Sequence, residues 1–91
     1  MTNLTFGDVI NRSKTSNKTY FRENWNGSGI RIYYVPANSY KAQTPYAKSV
    51  WGEEGLVPYG AYFAIKTANN TVEAGWRPTT LDMFATDWVE E

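Results

Sequence analysis

The chain has neither histidine nor cysteine. The usual neutral-pH general base and the thiolate nucleophile are therefore both missing. Any chemistry would rest on carboxylates and hydroxyls. The clustered acids are Glu53–Glu54, Asp82 with Asp87, and Glu90–Glu91. Glycoside-type hydrolysis needs two opposed carboxyls at a set separation, which neighbours in sequence rarely provide. A metal site has no imidazole or thiolate to start from. These absences point to a binder and not an enzyme, with no metal and no cofactor expected.

Recognition chemistry is better supplied. The stretch FRENWNGSGIRIYYV sets Trp25 beside an Asn26-Gly27-Ser28-Gly29 turn and flanks both with Arg22 and Arg31. A flat indole can stack on a nucleobase, an interaction worth about 1–3 kcal/mol per base. Successive amides of a glycine-rich turn can hold an anion, and a plain hairpin turn explains the same residues. Trp76, followed by Arg77, repeats the pairing of ring and cation. Either tryptophan can instead be a core residue. Arg77 can grip a phosphate in forked geometry or stand in solvent. Asp82 can accept ribose hydroxyls, or close a capping box with Thr79 at a helix start. Asp87 falls near that helix's other end, where the dipole disfavours it, which suggests an Arg or Lys partner. Arg22 and Arg31 rank behind Arg77, because strand alternation turns Arg31 away from Ile30 and Ile32.

The elements that must position these groups follow from pattern. Phe6, Val9 and Ile10 give a helix from Thr5 to about Ser13, with Thr5 and Asp8 as its box and SKTSNK as its end. Thr19–Arg22 and GIRIYYV read as strands joined through Asn26-Gly27. AYFAIKT and TVEAGW form a second hairpin, in which Val72, Ala74 and Trp76 share a face. Leu81, Phe84, Ala85 and Trp88 fall at helical spacing after Pro78 and Thr79, making Trp88 core or subunit interface. DWVEE ends the chain as a short strand or tail. The fold expected is α+β: a small antiparallel sheet packed on a helix, with a second short C-terminal helix.

One domain, residues 1–91, is all this length supports. Residues 37–60 lack clear periodicity but carry Tyr40, Tyr46, Trp51 and Tyr59, so an ordered excursion that meets a partner or covers a pocket is expected. Aromatic content is 16%, with four Trp and seven Tyr. That exceeds what one small core hides, and interfaces are the usual destination, with Tyr33, Tyr62, Tyr59 and Trp51 as candidates. Basic and acidic residues balance at nine each, which argues against long nucleic acid as partner. No run of residues reads as a membrane span or a signal peptide, so the cytoplasm is the expected location.

TFGDVI, RENWNGSG and WRPTTLDMFATDW, taken in order, resemble the phage-encoded Thoeris anti-defence proteins of the second type. The resemblance runs from Thr5 to Trp88, except for an apparent insertion at 37–60. Its most specific parts are the Trp25-Asn26-Gly27 turn and the ending formed by Asp82, Ala85, Asp87 and Trp88. Asn24 stands where a glycine often precedes the tryptophan. The resemblance implies a non-catalytic sponge in the infected bacterium's cytoplasm. Such a protein sequesters a cyclic ADP-ribose isomer made by TIR-domain immune enzymes and so keeps an effector inactive. It implies a homotetramer with ligand between protomers, and for some relatives a separate site for cyclic oligonucleotides. The ligand-binding candidates are Trp25, Asn26, Gly27, Ser28, Gly29, Trp76, Arg77 and Asp82. Two other readings compete: a protein that blocks a host defence enzyme through its aromatic loop, and a hydrolase of the messenger.

Overall fold

A computed structural model describes residues 1–91. Helix α1 spans Phe6–Ser16 and strand β1 Tyr20–Arg22, followed by a 3-10 turn at Glu23–Trp25. Then come β2 (Arg31–Val35), β3 (Asn38–Lys41), α2 (Pro45–Trp51), β4 (Leu56–Tyr59), β5 (Tyr62–Lys66), β6 (Val72–Trp76), α3 (Thr80–Phe84) and β7 (Trp88–Glu90). Five strands make one antiparallel sheet in the order β6-β5-β2-β1-β7, and β3 pairs only with β4. This is the α+β arrangement expected, with a short C-terminal helix.

The start of α1 is dictated locally. Thr5 N–H donates to Asp8 Oδ2 at 2.9 Å, and Asp8 N–H donates to Thr5 Oγ1 at 3.1 Å, so two amides without helical partners are satisfied reciprocally. The helix passes the expected Ser13 and stops at Ser16, where Asn17 adopts a left-handed conformation with φ 55°. Asparagine tolerates that region better than most residues, and this, rather than the polarity of SKTS, sets the end. The buried side of α1 presents Phe6, Val9 and Ser13 to the sheet. Leu4, Phe6, Val9, Tyr20, Ile32 and Trp88 form the core, with Trp25, Phe63, Ile65, Trp76 and Ala85 packed against it.

Two side-chain placements depart from the simple patterns. Strict alternation would keep Trp76 with Val72 and Ala74. Instead Phe63 pairs with Trp76 while Ala64 pairs with Ala74, leaving Gly75 as a bulge. Gly75 has φ 77°, a value that glycine reaches without side-chain strain. The bulge moves Trp76 onto the face of Phe63 and Ile65, where it packs on the core. The second departure is at α3. The apolar stripe Leu81-Phe84-Ala85-Trp88 is not one helical face. The helix ends after one turn because Ala85 is extended, with ψ 150°. Leu81 and Phe84 are 79% and 78% exposed, whereas Trp88 is fully buried on β7. Pairing of Arg22, Phe21 and Tyr20 with Trp88, Val89 and Glu90 draws the last residues into the sheet and outcompetes a longer helix.

Residues 37–60 are ordered, as their rings suggest. They form the β3–β4 ribbon and α2, capped by Thr44, and bury Ala42 and Val57. Tyr46, Val50 and Leu56 remain more than half exposed on this arm. The molecule is elongated, 46 × 27 × 24 Å.

Candidate functional site

The largest cavity, about 510 Å³, opens between the 3-10 turn after β1 and the segment carrying α3. Arg22, Asn24 and Trp25 line one wall, and Thr79 to Asp82 with Phe84 and Ala85 line the other. Residues more than fifty positions apart meet here because β7 lies beside β1, which brings α3 back over the turn.

Arg22 organises the floor. Its Nη1 donates to Asp82 Oδ1 at 2.8 Å and its Nε to Asp87 Oδ1 at 2.5 Å. A longer contact runs from Nη2 to Asp87 Oδ2 at 3.5 Å. The bond to Asp87 holds the guanidinium above its ordinary pKa against the opposing effect of burial, and the bond to Asp82 adds to it. Asp82 closes the second capping box: Thr79 N–H donates to Oδ2 at 2.9 Å, and Asp82 N–H donates to Thr79 Oγ1 at 3.2 Å. Burial pushes this carboxyl upward, but the Thr79 bonds and Arg22 outweigh it and the net shift is downward. Trp88 ties the core to the same residue, its indole N–H donating to the Asp82 carbonyl at 3.0 Å.

Trp25 bridges core and cavity. Its ring meets Trp88 edge-on at 5.4 Å and Trp76 at 6.3 Å, while the residue as a whole is half-buried and lines the cavity. Of the eight binding candidates, the structure brings Trp25 and Asp82 together in this cavity, on facing walls. Trp76 lies behind Trp25, edge-on to Phe6, Phe63 and Trp88. Arg77 is exposed, forms no ion pair, and is outside the cavity lining.

The Asn26–Gly29 turn is also outside that lining. Asn26 N–H donates to Glu23 O at 3.1 Å, and Ser28 N–H to Trp25 O at 3.0 Å. The Ser28 hydroxyl donates to Trp25 O and accepts from Ile30 N–H. The turn thus closes largely on itself, with the amides of Gly27 and Gly29 left over.

Asn24, Thr80, Leu81 and Phe84 enter the site without having been singled out for it, and Arg22, ranked behind Arg77, lines the cavity where Arg77 does not. The cation expected beside Asp87 is Arg22, although α3 ends at Phe84 and its dipole is not what calls for one. Arg31 lies against the Phe21 ring at 3.8 Å and pairs with Glu91 at 3.2 Å. No group of three or more His, Cys, Asp or Glu side chains is arranged to hold a metal ion. No helix is long and apolar enough to cross a membrane.

The family model described as the Thoeris anti-defense 2-like domain matches residues 4–90. No match is found among curated proteins.

Proposed function

The chain belongs to the Thoeris anti-defense 2-like family, and from that premise we propose that it sequesters a cyclic ADP-ribose-derived messenger without altering it. The observation that carries this reading is the cavity beside Trp25. Its volume of about 510 Å³ falls within the range of small-molecule sites. It offers an indole surface for a purine, the Asp82 carboxylate for sugar hydroxyls, and apolar Leu81 and Phe84 at the edge. Trp76 backs the Trp25 ring. Arg77 and the two unengaged amides of the Asn26–Gly29 turn are the proposed phosphate contacts.

Leu81 and Phe84 stand in water in the single chain, and covering them stabilises an assembly. A second protomer over this edge would close the open cavity, in keeping with ligand held between subunits of a homotetramer in the bacterial cytoplasm. Competition with an effector at matched concentration calls for a nanomolar constant, about −12 kcal/mol.

The test is capture and release. Purified protein is incubated with the messenger, freed of unbound material, denatured, and the released molecule is identified by mass. Intact messenger is the expected result. An altered product would mean hydrolysis. Nothing retained would leave the docking reading, for which exposed Tyr46, Trp51 and Leu56 on the arm provide the surface.

A further inference from the structure

The cavity's polar floor suggests which part of a nucleotide it accepts. Resting on the reading above, we propose that the cavity takes the nucleoside face of its ligand, base and ribose hydroxyls, and rejects phosphate. An arginine in a cavity wall ordinarily suggests a phosphate clamp. Here the guanidinium is already engaged: Nη1 on Asp82 and Nε on Asp87, at 2.8 and 2.5 Å. Its side chain is only 17% exposed, so it is not free to swing outward. Asp87 stands behind the lining, and with it included one cation faces two carboxylates, a net charge of minus one beneath the cavity. A phosphate would have to displace a carboxylate from Arg22 and then sit beside it.

Nothing else in the lining offsets that charge. Arg22 is the only basic residue in the wall. Helix α3 is five residues long, a single turn with little dipole, and Asp82 already bonds its leading Thr79 amide. The cations without an acidic partner are Lys14, Lys18, Lys66 and Arg77, and none lines the cavity. Hydroxyl donors fare differently. Asp82 retains lone pairs beyond its bonds to Arg22 and Thr79, and a carboxylate strengthens any hydroxyl donated to it. Asn24 adds a carboxamide and Trp25 a ring. The phosphates of a whole nucleotide therefore lie outside the cavity, with Arg77 and the Gly27 and Gly29 amides left to meet them.

The experiment follows the Trp25 indole N–H by NMR, its resonance identified by its loss in Trp25→Phe. Adenosine and inorganic pyrophosphate are titrated separately into the whole protein. Adenosine should move the resonance, whereas pyrophosphate at the same concentration should leave the Thr80 and Leu81 amides of the facing wall in place. In Asp87→Asn, which removes the net negative charge from behind Arg22, pyrophosphate affinity should rise at least tenfold. A shift of the Thr80 and Leu81 amides by pyrophosphate would overturn the proposal, and so would indifference of Trp25 to adenosine. Either result alongside capture of the intact messenger removes this inference and leaves sequestration standing. An adenosine shift without messenger capture does the reverse.

Discussion

Replacing Trp88 with phenylalanine probes the link between core and cavity. Trp88 is fully buried and packs on Phe6 at 5.5 Å, Trp25 at 5.4 Å and Trp76 at 6.1 Å. The substitution removes about three buried ring atoms; at about 0.8 kcal/mol for each methylene-sized group, this is about 2 kcal/mol. It also removes the indole bond to the Asp82 carbonyl at 3.0 Å, worth about 1 kcal/mol. The expected loss is about 3 kcal/mol, against about 5–14 kcal/mol for a domain of this length. Urea unfolding would show it as a lower midpoint at unchanged slope. Calorimetry would show a melting temperature lower by about 12–24 °C. A loss below about 1 kcal/mol would refute the reasoning. It would mean that the rings collapse into the void and that Asp82 is held without the indole.

Three further outcomes follow from the same structure. Glu90 accepts a forked pair from Arg12 at 2.9 and 2.8 Å and a bond from the Tyr20 hydroxyl at 2.8 Å. The Arg12 and Tyr20 bonds lower its pKa from 4.5 to about 2. A carboxyl depressed on folding stabilises fully above its unfolded value and loses that contribution as pH falls toward the folded value. Wild-type melting temperature should therefore drop more steeply between pH 4.5 and 2 than that of Glu90→Gln; parallel curves would discount the network. Gly75→Ala places a Cβ where nothing lies within 4 Å, so the cost is backbone strain alone, about 1–2 kcal/mol, read from the urea midpoint. Arg77→Ala should weaken messenger binding at least tenfold with the melting temperature unchanged, and unaltered affinity would remove it from the phosphate contacts.

Local chemistry was legible where a few adjacent residues decide the outcome. The boxes Thr5–Asp8 and Thr79–Asp82 and the hairpin around Ala68–Asn70 follow from short-range hydrogen bonding and alternation. Choices made by distant partners were not legible. Trp76 reaches the core only because of the bulge at Gly75, and periodicity alone assigns it the opposite face. Trp88 keeps helical spacing from Leu81 by coincidence, since pairing with Arg22 places it in a strand. Arg22 belongs to the site through two carboxylates sixty or more residues away. The arm at 37–60 gave no period because its elements are short and mostly exposed, four, seven and four residues long.

The most direct measurement is calorimetric titration of cyclic ADP-ribose isomers into the wild-type protein and Trp25→Ala. Nanomolar binding to the wild type, weakened at least tenfold in a variant that remains folded, is the predicted result. A flat wild-type titration with every isomer, or equal affinity in the two proteins, would contradict a messenger held against Trp25.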